Sequence, residues 1–180
     1  PRADPPIKFA YINPASAEWR KLFVGRMTEL VRATGADALH LDQTLCIFND
    51  KNGLMGGLNS AEGNLLLHKE LKAALPQVAL SGEGLDEVTM IHEAFAQRHV
   101  MGVDHVNHTF DRAALKRSHP ISAYLFGNRT KPYMYLGSGN PGSDQFHQAW
   151  RDAYRHWGVL PGYGWPSVAE LDRPAPGQAQ

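Results

Sequence analysis

The sequence predicts an α/β fold on a parallel sheet, in the form of a (β/α) barrel or a partial TIM barrel. Strand-like and helix-like segments alternate at least three times, the pattern of parallel sheets with crossover helices rather than of sandwiches or bundles. Two apolar runs, Asp37-Ala38-Leu39-His40-Leu41-Asp42 and Val78-Ala79-Leu80-Ser81-Gly82-Glu83, each end on an acid where polar, glycine-rich sequence begins. Length supplies the third observation. The chain has 180 residues, enough for one domain, whereas a complete eightfold barrel usually takes about 200 to 250. It opens on a strand and carries about five or six of them, so part of a barrel is expected, with an open doubly wound sheet as the structural alternative.

Taken in order, Ile7 to Ile12 alternates apolar and mixed residues in the manner of a strand, and Asn13-Pro14 breaks it. Ser16 is placed to cap a helix and Glu18 suits its first turn. Trp19, Leu22, Phe23, Met27, Leu30 and Val31 then recur at helical spacing until Thr34-Gly35 stops them. The strand ending at Asp42 follows at once, giving the order of a right-handed crossover; its Ala38, Leu39 and Leu41 suit a strand covered on both faces. Gln43 to Leu58, rich in Asn and Gly, reads as a long loop, and loops of that length usually cover or shape a site.

Asn59 or Ser60 opens a second helix, with Glu62 at capping-box spacing from Asn59 and Pro76 as its limit. The strand from Val78 leads into Ser81-Gly82-Glu83-Gly84, whose glycines leave room for a close approach. Leu85 to Arg98 reads as a third helix entered through Asp86 and Glu87. Ile121 to Phe126 and Tyr133 to Leu136 both have strand character. Ser143 to Trp157 reads as a fourth helix, with Phe146, Ala149, Trp150, Ala153, Tyr154 and Trp157 on one face, and Gly158 to Pro161 as a last short strand. One domain spanning 1–171 is expected, followed by a frayed tail or linker at 172–180.

Composition narrows the function classes. The chain is 43% hydrophobic, enough for a sizeable core, and its 18 basic residues balance 18 acidic ones. The basic residues are scattered, so no electrostatic footprint for nucleic acid or an anionic membrane is expected. The single cysteine, Cys46, excludes an internal disulfide and any multi-cysteine metal site. No apolar run approaches the roughly 20 residues that span a membrane, and Pro1-Arg2-Ala3-Asp4-Pro5-Pro6 lacks the features of a signal peptide. The expectation is a soluble chain, with the choice between cytoplasmic and secreted left open.

The two acid-tipped strands are consecutive, so in a βαβ unit they lie parallel with Asp42 and Glu83 at the same edge, where α/β folds carry out chemistry. A carboxyl pair of this kind suits glycosidic bond cleavage. Separations of roughly 5 to 5.5 Å correspond to retention and roughly 6.5 to 9.5 Å to inversion, and parallel strands about 4.8 Å apart are compatible with the shorter distance. Asp42 is then the nucleophile, kept ionised by donors such as His40 or Gln43. Glu83 is the acid and later the base, its proton retained through the neighbouring negative charge and partial desolvation. Glu87 is a second candidate for the acid and for substrate contact. Tyr163 and Trp165, in the glycine-rich segment after the last strand, are placed to stack on a sugar face.

Among nine histidines, His92-Glu93 with His99, or His105 with His108, are the groupings that suggest a metal. His92 and His99 are seven residues apart, too far for the i, i+4 zinc pair of a helical metalloprotease, and no metal or other cofactor is expected.

The run from Asp37 to Asp42 followed by that from Val78 to Glu83 resembles the nucleophile and acid/base strands of α-amylase-like retaining glycoside hydrolases. The wider text, Ile12 to Arg20, His119 to Gly127 and Gly158 to Pro161, is similar to uncharacterised glycoside-hydrolase-like barrel proteins of bacterial carbohydrate-utilisation settings. The resemblance spans most of the chain. It implies about the third to the eighth strand of a (β/α)8 barrel, with Asp42 after the fourth and Glu83 after the fifth, and a carbohydrate substrate. Amino-terminal strands missing from the chain, or self-association, would complete such a barrel. Two departures bear on specificity. His40 stands where α-amylases place an arginine, and Asn107-His108-Thr109 lacks the aspartate of their Asn-His-Asp triplet. α-Glucan specificity is therefore not implied, and a third catalytic carboxylate is unassigned. Two other readings stand beside this one: a metal-dependent hydrolase using Asp42, Glu83 and nearby histidines, and an inactive or truncated fragment that binds glycan or is only structural.

Overall fold

The computed structural model describes residues 12–42, 44, 53–84, 87–97, 103–104, 109–110, 121–138 and 151–164. The first helix, α1 (Ala17–Thr34), starts where Ser16 accepts a hydrogen bond from the Trp19 amide and ends at Gly35. Gly35 has φ 69°, a left-handed conformation that lets its N–H bond the Val31 carbonyl at 2.8 Å. Strand β1 (Ala38–Leu41) follows directly. Further on, Gly56 and Gly57, at φ 60° and 81°, turn the chain so that Met55 and Leu58 exchange backbone hydrogen bonds, a two-residue turn that requires positive φ at both central positions.

Helix α2 (Ser60–Ala74) opens on a complete capping box. The Glu62 amide donates to Asn59 Oδ1 at 2.8 Å, and the Asn59 amide donates to Glu62 Oε2 at 2.9 Å. Two contacts bind α2 to the start of α1. The buried guanidinium of Arg20 donates to the carbonyls of Pro14 and Ala15 and to Glu70 on α2. Gly63 of α2 lies so close to Ala15 that a Cβ would enter the Pro14–Ala15 backbone.

Strands β2 (Ala79–Glu83), β3 (Phe95–Gln97), β6 (Lys131–Ser138) and β7 (Leu160–Gly164) join β1 in one five-stranded sheet, all parallel, in the order β1-β2-β3-β6-β7. A separate antiparallel pair, β4 (Val103–Asp104) with β5 (Thr109–Phe110), stands between β3 and β6 in the chain. With that pair set aside, every strand neighbours its successor. The described order contains no reversal of the kind that defines the doubly wound alternative. Along the β6·β7 pair, the step from Tyr135 to Ser138 matches that from Gly162 to Gly164, so β6 carries an extra residue near its carboxyl end.

The sheet's two faces differ. Leu39 and Leu41 of β1 and Leu80 of β2 face α1 and α2, in a core with Leu67, Leu71, Leu75 and Val78 that Trp19, Phe23, Val24, Met27 and Val31 cover. Each fully buried Leu or Val in such a cluster contributes about 1.5 to 3 kcal/mol. On the other face, Ala38 and His40 are exposed, which corrects the expectation of a β1 covered on both sides.

Two other expectations are corrected. The third helix does not form: residues 87–92 are turns and 95–97 are β3. Ladder bonds override the helical spacing there, because the Ala94 amide donates to the Leu80 carbonyl, the Lys131 amide to Ala94 and the Gly84 amide to Gln97, each at 2.8 to 2.9 Å. Conversely, Ile121–Phe126, expected as a strand, is the short helix α3. Short apolar runs are ambiguous between the two states, and the strand positions on either side of β3 are already taken by β2 and β6. The strand expected at Tyr133 to Leu136 lies within β6, and the one at Gly158 to Pro161 overlaps β7. Of the fourth helix, residues 151–156 are described and helical; Ile7 to Tyr11 and Ser143 to Trp150 lie outside the described residues.

Candidate functional site

The carboxyl edge of the sheet gathers the acids that the sequence singles out. Asp42 directly follows β1 and is exposed, and Glu83 is the last residue of β2 and half-buried. Leu41 pairs with Gly82, so the two acids occupy the next positions on neighbouring parallel strands. Glu87 sits in the exposed turn just beyond β2. Gln43 and Trp165 lie outside the described residues, and of Tyr163 only the backbone, in β7, is described.

Thr44 ties this edge to the helix layer. Its hydroxyl donates to the Glu83 carbonyl at 3.3 Å, and its own carbonyl accepts from Asn64 Nδ2 of α2 at 3.2 Å. The chain leaving β1 is thereby held against the end of β2.

On the face away from the helices, register places His40, Ser81, Phe95 and Lys131 in one row, and Glu83, Gln97 and Tyr133 in the row above. Three of these side chains converge below the acids. His40 Nδ1 lies 3.2 Å from Ser81 Oγ and 3.2 Å from the Tyr133 hydroxyl, and the two hydroxyl oxygens are 3.4 Å apart. The His40 and Tyr133 rings meet edge to face, with centroids 6.5 Å apart. In a flat sheet β1 and β6 would be separated by three strand spacings, roughly 14 Å. Contact across that span requires the sheet to curl, with this face concave. Sequence reading picks out His40 but neither Ser81 nor Tyr133. For Ser81 a signal was available, since it stands two residues before Glu83 and so shares its face; for Tyr133 there was none without the register.

The opposite face holds a sealed polar cluster. His68 and Glu93 have fully buried side chains, with His68 Nε2 3.3 Å from Glu93 Oε1. The contact is close enough for an ion pair but misaligned as a hydrogen bond. His68 Nδ1 donates to the Asn64 carbonyl at 2.8 Å, so Nε2 is the nitrogen turned toward the carboxyl group. Gly82 makes this possible, because a Cβ at that position would strike the Glu93 carboxyl group and stand 2.6 Å from Thr44 Oγ1. The His92 ring stacks on His68 at 6.4 Å. Its pKa is lowered, first by burial and then by repulsion from His68, Lys69 and Lys72.

With their side chains fully buried, His68 and Glu93 brace the sheet from the helix side. Among the described residues no group of three or more His, Cys, Asp or Glu side chains is arranged to hold a metal ion; His99, His105 and His108 lie outside them. No helix among the described residues is long and apolar enough to cross a membrane.

No protein-family model matches the chain, and no curated protein sequence does. Its structure is similar to the glycoside hydrolase domain of PelA from Pseudomonas aeruginosa, with a TM-score of 0.59 over 91% of this chain and 68% of that one, at 16% sequence identity. At that identity the likeness is one of fold: an α/β domain with a parallel sheet, sharing its architecture with a glycoside hydrolase domain.

Proposed function

We propose that this chain is a glycoside-hydrolase-like domain, the later part of a (β/α) barrel of about strands three to eight, that cleaves O-glycosidic bonds of a carbohydrate with retention of configuration. The observation that carries the reading is the β1·β2 register, which sets Asp42 and Glu83 side by side at the carboxyl edge. The barrel is supported by the unreversed strand order, by the concave face and by the likeness in fold to a hydrolase domain.

In this mechanism the Asp42 carboxylate attacks the anomeric carbon while the Glu83 carboxylic acid protonates the departing glycosidic oxygen, leaving a glycosyl ester on Asp42. Glu83, now ionised, takes a proton from water as that water attacks the same carbon, which releases Asp42 as the carboxylate and returns the proton to Glu83. Glu87 stands close enough along the chain to serve as a second acidic contact, and Gln43 and Trp165 are proposed to bind the sugar with His40.

A panel of aryl glycosides tests the assignment. Asp42→Asn and Glu83→Gln should each lower kcat/KM by at least about 10²-fold, and azide should restore turnover of an activated substrate to one of them. Parent-like rates in both variants would sink it. Glycan binding without hydrolysis by the parent would favour a binding domain instead.

A further inference from the structure

We propose that Thr44 is a positioning residue for Asp42 and Glu83, itself held in place by the turn of α2 from Asn64 to His68. The paired register of β1 and β2 runs from Ala38 with Ala79 to Leu41 with Gly82, one position short of the acids. Thr44 bridges the two chain segments beyond that point, its hydroxyl donating to the Glu83 carbonyl at 3.3 Å. It stands two residues after Asp42, so this bond ties the segment carrying one acid to the residue carrying the other. Gly82 provides the room, because a Cβ there would stand 2.6 Å from Thr44 Oγ1.

The helix layer fixes Thr44 in turn. Its carbonyl accepts from Nδ2 of the buried Asn64 at 3.2 Å. One helical turn on, His68 Nδ1 donates to the Asn64 carbonyl at 2.8 Å, and His68 Nε2 lies 3.3 Å from Glu93 Oε1. The Glu93 carboxyl group borders the same space that Gly82 leaves open. Thr44 and Glu93 thus flank the residue before Glu83, and one turn of α2 holds both. With its hydroxyl and its carbonyl both bonded, Thr44 restricts how far Asp42 can move from Glu83. Two-carboxylate chemistry depends on that spacing, and a misplacement of about 1 Å can cost about 10²-fold in rate.

The catalytic half of this inference rests on the proposed function, whereas the placement of the two acids does not, and the experiment separates them. Asp42→Cys and Glu83→Cys are combined with Cys46→Ser, and the effective concentration of the two introduced thiols is measured by equilibration with glutathione. Thr44→Val removes the donor at nearly constant shape and should lower that concentration about three- to tenfold, as the loss of one hydrogen bond implies. Thr44→Ser, which keeps the hydroxyl, should leave it at the parent value. Asn64→Ala should lower it as well and add little to Thr44→Val, since both act through the same residue. An effective concentration that Thr44→Val leaves unchanged, or thiols that form no disulfide with Thr44 in place, overturns the proposal.

On a glycoside that the parent hydrolyses, Thr44→Val should lower kcat about tenfold with KM changed less than about twofold, and Thr44→Ser should retain the parent kcat. A lowered urea midpoint in Thr44→Val with kcat of the folded enzyme unchanged overturns the role in catalysis. If the parent hydrolyses no glycoside, it is the proposed function that fails, and the thiol measurement decides the positioning role.

Discussion

At Gly82 the missing side chain is what the packing requires. The strand that delivers Glu83 passes over the buried Glu93 carboxyl group and the Thr44 hydroxyl with no room for a Cβ. Gly82→Ala should cost about 1 to 3 kcal/mol, seen as a lower urea midpoint, and should disturb the Glu83 edge as well as the core. A midpoint equal to the parent's would show the contact to be slack. Beside it, His92 makes stability depend on pH. Its lowered pKa means that the unfolded chain, titrating near 6.5, binds a proton that the folded chain refuses. The stabilising contribution of the neutral ring is therefore complete above about pH 6.5 and is lost as pH falls through the lowered value. His92→Gln, which does not titrate, should flatten this acid limb when urea midpoints at about pH 5 and about pH 8 are compared; an equal loss in both proteins would remove His92 as the cause. The acids were legible as residues because each ends an apolar run, and His40 because it precedes one of them by two. Tyr133 was not, since 93 residues separate it from His40 and only the sheet's curvature closes that distance.

Among the elements, α1 and α2 were readable nearly to the residue, because caps are local chemistry: Ser16, Gly35, Asn59 and Glu62 act on backbone groups a few positions away. Asn59→Ala should cost about 1 kcal/mol by removing one half of the reciprocal pair, and thermal melts should show it. Gly63→Ala raises helix propensity yet should destabilise, by about 1 to 3 kcal/mol, because its methyl group would enter the Pro14–Ala15 backbone. A stabilised Gly63→Ala protein would mean that α2 can move away from the start of α1 without loss. The elements that were misread, β3 and α3, are both short. A three-residue strand carries too little pattern to compete with the helical spacing around it, and its identity depends on having β2 on one side and β6 on the other.

For the whole molecule, the sheet's order and its concave face matter more than any single strand. Sequential parallel pairing brings every carboxyl end to one edge, where Asp42 and Glu83 stand, while Leu39, Leu41 and Leu80 turn toward α1 and α2. The amino-acid sequence by itself determined the fold class, both capped helices and the two strands that carry the acids, because those features arise from periodicity and from contacts within a few residues. Tertiary structure alone decided that β3 is a strand, that Ile121–Phe126 is a helix, and that Ser81 and Tyr133 meet His40. These depend on which backbone groups find partners across the sheet and on how far it curls, and both are set by residues distant in the chain.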